Sequence, residues 1–312
     1  MDHGLHPDAE SWGEYCRGFC HALNVQFTEI KVQLDTLPGD SLEAKARDIR
    51  YRSLAEQMEV GSVLVTAHHL NDQAETFLLQ LLRGAGPQGL AAMPEIKEFG
   101  TGYHLRPLLK VRRQAIEQYC MEHDIQWLED PSNLDEKFDR NYIRHQLMPV
   151  IIRRWPSAPQ TIARSSNHMA EMRALVDEYG IDKLCHHLSE DGQRFELHGT
   201  AQLSRAQLKH LLRLWLKSLQ LPLPSSRKME VLLADLIDAR QQAEPLVRWP
   251  GVEIRRYRQT LYATKPLPSM PESWCQTWDL AKPLTLPADL GSLQARAGDA
   301  GLSLNAHQRR QL

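Results

Sequence analysis

The stretch over residues 66–76 holds the densest group of side chains that could do chemistry. Two adjacent histidines, His68 and His69, precede two carboxylates, Asp72 and Glu75. Because Asp72 and Glu75 are three residues apart, they share one face of any helix that they occupy. Two carboxylates on one face could hold a magnesium ion, or they could bind the ammonium group of an amine substrate.

The same spacing also has a purely structural explanation. Asp72-x-x-Glu75 is similar to a capping box, in which two side chains satisfy the free backbone N–H groups at the start of a helix. The local spacing by itself favours this cap over a ligand site. A transition-metal cluster is the weakest alternative, because His68 and His69 in an extended segment would point in opposite directions.

The elements around this stretch predict an α/β domain. Apolar spacing predicts helices over about residues 8–23, 41–58 and 72–83, and strands over 25–32 and 63–65. Ser41 is suited to cap the second helix, and Gly84 is placed to end the third. Strands that alternate with helices imply a parallel sheet covered on both faces, which binds ligands beyond the carboxyl ends of its strands. The stretch over residues 66–76 would lie at that edge.

The pattern changes after Val150, where the sequence predicts a helical segment and then a small α+β unit. The segment 155–159 contains two prolines and interrupts regular structure. The predicted elements that follow are a long helix over about 161–188, a helix from Ser204 with Trp215 on its apolar face, a helix after the loop 221–226, and short strands at Val247, 252–257 and Leu261.

Composition excludes several classes of protein. The formal net charge of -2, from 37 basic and 39 acidic residues, argues neither for nor against a nucleic-acid partner. The five cysteines form no CxxC pair, so neither a disulfide framework nor a four-thiolate zinc site is implied, and a reducing cytoplasm is expected. No apolar run approaches the length needed to cross a membrane, and no signal peptide is recognisable, so we expect a soluble protein with no membrane partner.

Six short motifs, in order along the first half, resemble those of the tRNA(Ile)-lysidine synthases, a branch of the PP-loop ATP pyrophosphatases. Residues 67–76 are similar to that family's AHHxDDQxET signature. The other five matches are HGL at 3–5, ARxxRY at 46–51, RGxG at 83–86, RPLL at 106–109 and EDxSNxDxxFxRNxIR over 129–144. In the second half, the helix around Trp215, the turn at 222–225 and the segments 249–251 and 255–257 resemble the family's substrate-binding domain.

The resemblance implies a doubly wound parallel sheet of the PP-loop, or adenine nucleotide alpha hydrolase-like, type. The domains it implies are a catalytic domain over 1–150, a helical linker over 151–195, a substrate- or tRNA-binding domain over 196–265, and a linker with the start of a C-terminal tRNA-binding domain over 266–312. Two departures from the family pattern matter within this sequence. Asn71 replaces the first aspartate of the family's pair, which we expect to tune the site, and no SGGxDS phosphate loop is present.

The missing loop leads to an expectation about the fragment. We expect the first strand and the phosphate loop to lie upstream of Met1, and the rest of the C-terminal domain to lie beyond Leu312. In a doubly wound sheet the first strand is central, so its loss would leave neighbouring strands with unpaired edges. We therefore expect the chain alone to be poorly soluble or to bind ATP negligibly.

The family's reaction implies ATP, Mg²⁺, L-lysine and tRNA(Ile) with a CAU anticodon as partners. ATP adenylates the C2 carbonyl oxygen of the wobble cytidine, and the lysine ε-amine then attacks C2 and expels AMP. Asp72 or Glu75 would bind the lysine ammonium and accept its proton, and Asp72 is also the candidate magnesium ligand. Arg140 or Arg144 would supply part of the positive charge that the phosphates need.

Further site residues follow from the matched motifs. Arg47 and Arg106 would contact phosphate or the lysine carboxylate through bidentate hydrogen bonds. The full set expected to bind substrate or ATP is His3, Arg47, Tyr51, His68, Arg83, Arg106, Asp130, Asn133, Asn141 and Arg144. Arg255, Arg256 and Arg258 would contact tRNA, although on their own they indicate only a solvated edge strand. A homodimer is a candidate assembly.

Three rival functions have to be weighed. A catalytically inactive, truncated RNA-binding remnant would release no pyrophosphate from ATP, which distinguishes it from an enzyme. Another PP-loop enzyme acting on tRNA, such as a 2-thiocytidine synthetase, would be expected to carry a CxxC pair, which this sequence lacks. A purely structural α/β protein would require six ordered motif matches to be a coincidence.

Overall fold

Helices form most of the first half of the chain, and most follow the apolar spacing of the sequence. The computed structural model describes residues 8–32, 42–237, 245–266, 271, 273–280, 282–288 and 290–295. The chain divides into two units, Met1–Leu175 and Val176–Leu312. No helix in these described ranges is long and apolar enough to cross a membrane.

The helices of the first unit include the three that the sequence predicts. They are α1 (Ala9–Ala22), α2 (Leu42–Glu56), α3 (Leu70–Leu82), α4 (Pro87–Leu90), α5 (Arg113–Glu122), α6 (Asp139–Tyr142), α7 (Met148–Arg154) and α8 (Ala158–Cys185), which continues into the second unit. A 3₁₀ turn spans Pro131–Leu134, and a π-helical turn over Ile143–Leu147 joins α6 to α7. Gly84 has a φ of 69° just after the end of α3, as its position predicts.

The described sheet of the first unit has three strands, β1 (Val63–Val65), β2 (Ile96–Phe99) and β3 (Gly102–Leu105). Their order is β1-β3-β2, with β1 parallel to β3 and β2 antiparallel to it. The parallel pair agrees with the predicted α/β class. The strand predicted over residues 25–32 is wrong, because only Lys31 forms a bridge there. Val25 in that segment is 56% exposed, so its alternating apolar residues find no buried face.

The apolar core of the first unit is small among its described residues. Ala74 of α3, Ile143 of the π-helical turn and Met148 of α7 are buried together. This contact packs α3 directly against the segment that carries Arg140 and Arg144. This packing therefore brings α3 into contact with the arginine-bearing segment, and both contribute side chains to the candidate site.

The second unit is an antiparallel sheet covered by helices on one face. Its main elements are β4 (Arg194–Glu196), α9 (Arg205–Ser218), α10 (Ser226–Leu232), a π-helical turn (Leu233–Ile237), β5 (Leu246–Trp249), β6 (Val252–Tyr257) and β7 (Thr260–Thr264). The sheet order is β4-β7-β6-β5, and β8 (Leu284–Thr285) pairs separately with β9 (Ser292–Leu293). Ser204 and Gln207 form a capping box at the start of α9, as the position of Ser204 predicts.

The core of this unit lies between the sheet and α9 and α10. Trp215, Phe195 and Leu212 are each fully buried. Residues of β6 alternate between the two faces, so Val252, Ile254 and Arg256 point into this core while Arg255 and Tyr257 face outward. Because β6 lies inside the sheet, the interpretation of its arginines as a solvated edge strand is wrong.

Candidate functional site

Two carboxylates and two guanidinium groups meet where α3 packs against α6 and the π-helical turn. Arg144 donates to Glu75 at 2.9 Å and 2.8 Å, and to Asp72 Oδ1 at 3.0 Å. Arg140 donates to Glu75 Oε2 at 3.2 Å and to Asp72 Oδ1 at 3.0 Å. Glu75 is 3% exposed and Asp72 is 8% exposed, so the four charges balance one another largely away from water.

The start of α3 is closed by a capping box, but its register differs from the one predicted. His69 is the N-cap, and its Nδ1 accepts a hydrogen bond from the Asp72 N–H at 3.3 Å. Asp72 Oδ2 accepts in return from the His69 N–H at 3.0 Å. The predicted Asp72-x-x-Glu75 cap is therefore wrong, because Asp72 is the third helical residue and Glu75 is occupied by the arginines. Asp72 serves both the cap and the charge cluster.

Asn71 links two helices at the position where the family carries an aspartate. Its Oδ1 accepts a hydrogen bond from the backbone N–H of Arg113 at 3.2 Å, at the start of α5. A neutral amide oxygen can accept this hydrogen bond, although a carboxylate would accept it more strongly. The replacement of aspartate by Asn71 therefore removes a charge but keeps a hydrogen bond, and the expected tuning of the site stays a prediction.

A cavity of about 300 Å³ opens beside Asp72. Its lining residues are Arg47, Arg50, Tyr51, Leu54, Thr66, Ala67, His68 and Asp72. The four from α2 are spaced i, i+3, i+4 and i+7, which brings them to one face of that helix. The Arg47 guanidinium lies 5.0 Å from the centroid of the Tyr51 ring. Asp72 is the one carboxylate among these described lining residues, in a wall that is otherwise basic, aromatic or neutral.

The surroundings of Asp72 keep it ionised. Burial opposes its ionisation, but the His69 ring and backbone N–H, together with Arg140 and Arg144, outweigh that effect and hold the pKa of Asp72 below its ordinary value. The charged form of Arg144 is favoured as well, because its hydrogen bond to Glu75 raises the pKa of Arg144. Asp72 is therefore an anion at neutral pH and a weak proton acceptor.

Two histidines beside the cavity are held in the neutral form. Burial lowers the pKa of His68 to about 4, with the charges of Arg106, Arg140 and Arg47 adding to the effect while Asp72 opposes it. Burial likewise lowers the pKa of His104 to about 4, assisted by Arg106 and Lys97. Both rings bond to the Thr66 hydroxyl, at 2.7 Å from His68 Nδ1 and 2.8 Å from His104 Nε2. They act as neutral hydrogen-bonding groups at pH 7.

Arg106 does not occupy the place that the sequence predicts for it. Its side chain donates to the Pro94 carbonyl at 2.7 Å and contacts His104 Nδ1 at 3.1 Å. Since Arg106 is only 3% exposed, it cannot grip phosphate or a lysine carboxylate in a bidentate manner, and that prediction is wrong. It supports the wall of the cavity from behind.

The structure separates the predicted substrate-binding residues into groups. Arg47, Tyr51 and His68 line the cavity, and Arg144 lies in the charge cluster. The others lie elsewhere: Arg83 in an exposed pair with Asp139, Asp130 as a cap for Ser132, Asn133 bonded through its carbonyl to His145, and Asn141 holding the carbonyls of Ser132 and Asp135. His3 lies outside the described residues.

Four residues of this region are missed by the sequence analysis. Arg50 and Thr66 line the cavity, His104 bonds to Thr66, and the Lys97 ammonium lies 5.9 Å from the Tyr51 ring centroid. Arg50 carries a usable signal, because it is three residues after Arg47 on the same helix. His104 and Lys97 carry none, since they reach the site only through the pairing of β2 with β3.

Magnesium does not fit the carboxylate cluster as it stands. Asp72 Oδ1 accepts from both arginines and Oδ2 accepts from the His69 N–H, while each oxygen of Glu75 accepts from a guanidinium. A hard divalent cation needs several oxygen ligands free of such donors. The described residues also contain no cluster of three or more His, Cys, Asp or Glu side chains that could hold a metal. The prediction of Asp72 as a magnesium ligand is therefore not supported.

The three arginines predicted to contact tRNA have different environments. Arg256 is 6% exposed and donates to the carbonyls of Leu236, Ile237 and Arg258, so it holds the end of a helical segment and cannot reach RNA directly. The Arg255 side chain is 52% exposed and pairs with Glu253 at 3.1 Å. Arg258 is exposed and lies 5.2 Å from the Tyr257 ring centroid.

Two family models match the chain. A model of the PP-loop domain matches residues 1–151, and a model of the TilS substrate binding domain matches residues 195–262. The similarity to one solved structure, a U34-tRNA thiolase from Methanococcus maripaludis, is weak, with a TM-score of 0.40 and 14% identity over 51% of this chain and 55% of that one.

Curated relatives match nearly the full chain. The tRNA(Ile)-lysidine synthase of Coxiella burnetii is 38% identical over 95% of this chain and 65% of its own length. That of Alkalilimnicola ehrlichii is 39% identical over 99% and 71%, and that of Edwardsiella ictaluri is 38% identical over 98% and 69%. The chain thus spans about two thirds of the length of these relatives. With both domain types in the family's order and this identity across both units, the chain belongs to the tRNA(Ile)-lysidine synthase family.

Proposed function

We propose that this chain carries the lysine- and nucleotide-handling part of a ligase that forms lysidine on tRNA(Ile) with a CAU anticodon. ATP adenylates the C2 carbonyl oxygen of the wobble cytidine with release of pyrophosphate. The ε-amine of L-lysine then forms a bond to C2, and the C2–O bond breaks to release AMP. Family membership supports this reaction. The cavity beside Asp72 supports the proposal that the reaction takes place there.

The observation that carries this proposal is the single carboxylate in a cavity lined with arginines. Arg47 and Arg50 supply positive charge for phosphate or carboxylate oxygens. Asp72 Oδ1 is taken by Arg140 and Arg144, but Oδ2 accepts from the His69 N–H and keeps a second lone pair for one N–H of an ammonium group, which a magnesium ion with its need for several free oxygens could not use. L-lysine carries both kinds of charge, and ATP carries the negative kind. The lining thus matches the two small substrates of the reaction.

Asp72 and Glu75 take different roles in this proposal. Asp72 faces the cavity and binds the lysine ammonium, whereas Glu75 lies behind it and holds Arg140 and Arg144 in place. The lowered pKa of Asp72 makes it a poor acceptor for the proton of the amine. Asp72 therefore orients the lysine, and the ammonium loses its proton to solvent water before the amine attacks C2.

The outward face of the second unit's sheet is the proposed RNA surface. One row across the strands places Arg194 beside Tyr262, Tyr262 beside Arg255, and Arg255 beside Leu246. Tyr257 on the same face is 51% exposed and Tyr262 is 36% exposed. Exposed aromatic rings flanked by arginines suit single-stranded RNA, because bases stack on the rings while the arginines contact phosphates. We therefore propose that Arg255 and Arg258 contact RNA and that Arg256 does not.

The domain boundaries, the cellular compartment, the metal and the assembly are part of the same proposal. The catalytic domain would cover 1–150, the linker 151–195 and the RNA-binding unit 196–265. The enzyme would act in the cytoplasm, and Mg²⁺, if used, would be held by ATP phosphates in preference to Asp72. A homodimer remains a candidate assembly.

Lysine transfer tests the role of Asp72. The assay follows radioactive lysine joined to tRNA, using the chain with any flanking segments that its gene encodes. Asp72→Asn should lower kcat/KM for lysine by about 30-fold or more, which corresponds to roughly 2 kcal/mol of lost charge pairing. The exchange of pyrophosphate into ATP should fall less, because that step does not use lysine.

The matched control is Asp139→Asn, which removes a carboxylate from an exposed ion pair with Arg83. It should leave lysine transfer near the wild-type rate. Near-normal lysine transfer by Asp72→Asn would return Asp72 to a purely capping role. A chain that releases no ATP-dependent pyrophosphate at all, with tRNA and lysine present, would favour the inactive RNA-binding alternative.

RNA binding tests the sheet face. Fluorescence anisotropy with an anticodon stem-loop at several salt concentrations should show that Arg255→Ala lowers the salt slope by about one. Tyr262→Ala should cost about 1–3 kcal/mol of binding with the slope unchanged, because it removes a stacking surface. Arg227→Ala, an exposed site on α10, is the matched control. If Arg227→Ala and Arg255→Ala reduce RNA binding equally, the sheet face is not the RNA interface.

A further inference from the structure

Four polar side chains form a continuous line from the back of the first unit's sheet to the cavity. Arg106 contacts His104 Nδ1 at 3.1 Å, His104 Nε2 contacts Thr66 Oγ1 at 2.8 Å, and Thr66 Oγ1 contacts His68 Nδ1 at 2.7 Å. His104 and Arg106 are 0% and 3% exposed, so water does not compete for the contact between them, while Thr66 and His68 are half-buried at the cavity. The reaction proposed above does not explain why this line exists.

Hydrogen-bond chemistry gives the line a single direction. A guanidinium has only donors, so His104 Nδ1, which faces Arg106, must accept. A neutral imidazole that accepts at Nδ1 carries its proton on Nε2, and His104 therefore donates to the Thr66 oxygen. Thr66 Oγ1 could accept from both rings, but these two histidines are its only partners among the described residues, so its own hydrogen finds an acceptor only at His68 Nδ1. His68 must in turn carry its proton on Nε2.

We propose that Arg106, His104 and Thr66 are positioning residues that lock His68 as its Nε2–H tautomer, so that His68 offers the cavity a neutral hydrogen-bond donor. The partner of this donor is an anionic oxygen of a substrate, either a phosphate or a carboxylate. The tautomer rests on these contacts and on Thr66 having no other described partner, whereas its use on a substrate rests on the proposed function.

A neutral donor has a specific advantage in this cavity. Arg47 and Arg50 already line it with positive charge, and a protonated His68 would add to their mutual repulsion. The neutral ring adds directional hydrogen bonding without adding charge. Arg106 contributes at a distance, because its charge adds to burial, the larger cause, in keeping both rings neutral, and its donor group sets the direction of the line.

Nitrogen NMR tests the tautomer directly. The full chain, labelled with ¹⁵N-histidine, is recorded at neutral pH in long-range ¹H–¹⁵N spectra, which distinguish Nδ1–H, Nε2–H and doubly protonated rings. His68→Gln and His104→Gln assign the two signals, and His198→Gln, at an exposed site in the second unit, is the matched control. Both His68 and His104 should show the Nε2–H pattern.

The Thr66 variants test the line itself. Thr66→Val keeps the shape but removes the hydroxyl, so His68 should change to a mixture of tautomers while His104 keeps its Nε2–H pattern. Thr66→Ser should restore the fixed tautomer of His68. An Nδ1–H or doubly protonated His68 in the wild-type chain would overturn the proposal, and so would an unchanged Nε2–H pattern of His68 in Thr66→Val.

Added ligands identify the source of the oxygen. Inorganic pyrophosphate and L-lysine are titrated separately, and a shift of the His68 Nε2–H signal with one of them assigns the donor to phosphate or to carboxylate. A signal that moves with neither overturns the donor role. Because none of these spectra requires turnover, their failure is distinguishable from a failure of lysidine synthesis.

Discussion

The two units hold themselves together by different means. In the second unit Trp215, Phe195 and Leu212 are fully buried in an apolar core between a sheet and two helices. In the first unit the most deeply buried groups include His104 and Glu75, and Val63 and Val65 of β1 are 51% and 56% exposed. Apolar burial stabilises without specifying one geometry, whereas a satisfied polar network specifies geometry and contributes little net stability. The first unit is therefore arranged around its site, and the second around its core.

Truncation of the second unit's core should have the largest effect. Trp215→Ala removes a fully buried ring from α9 and should lower the free energy of unfolding of that unit by about 3–5 kcal/mol. Hydrogen exchange followed by mass spectrometry reports each unit separately. Trp155→Ala, at a tryptophan that is 62% exposed, is the control and should change little. Equal losses from the two variants would contradict a stability that comes from the core.

Breaking the charge cluster should destabilise the first unit by about 3 kcal/mol. Arg144→Met leaves the buried carboxylates of Glu75 and Asp72 without one of their two cations, and an uncompensated buried charge is costly. Arg83→Met, which breaks an exposed pair, should cost about 0–1 kcal/mol. The same exchange measurement compares them. If Glu75→Gln does not recover stability in the Arg144→Met chain, the cost comes from lost packing instead of unpaired charge.

Mild acid should weaken the first unit through its neutral histidines. His104 has a pKa of about 4 in the folded chain against 6.5 as the ordinary value, so the unfolded state binds the proton first. This stabilisation is complete above pH 6.5 and is lost as the pH falls from 6.5 to 4, by on the order of 3 kcal/mol for so large a shift. Exchange rates corrected for intrinsic pH effects would measure it. His104→Gln should reduce the slope and leave the part that comes from His68, whose pKa is also lowered to about 4. An unchanged slope would exclude His104 as a source.

Sequence reasoning succeeds where a signal is local. Apolar periodicity predicts α3 and α9, and Ser204 identifies the start of α9. It misses β4, which has only three residues, and it places the α3 cap in the wrong register because histidine is not among the usual capping residues. The sequence could have predicted the burial of Arg256, because the strand period of two that places Val252 and Ile254 on the inner face places Arg256 there as well.

The candidate site depends on contacts that no local pattern encodes. Glu75 meets Arg144 across 69 positions, and Thr66 meets His104 across 38. Family motifs name most of these residues but do not say which line the cavity and which support it from behind. That division follows from how α3 packs on the π-helical turn and how β1 pairs with β3.

The π-helical turn between α6 and α7 also bears on how this family can change in length. A π turn holds one residue more than an α turn of the same span, so a chain shorter by one residue between Arg140 and Met148 could close the helix in regular α form. The flanking helices would keep their faces, but the residue aligned with Arg144 would rotate by about 100° away from Glu75. Insertions and deletions tolerated in the surface loops should therefore be rare at this turn, and a relative that carries one there would need a different cation for its buried carboxylates.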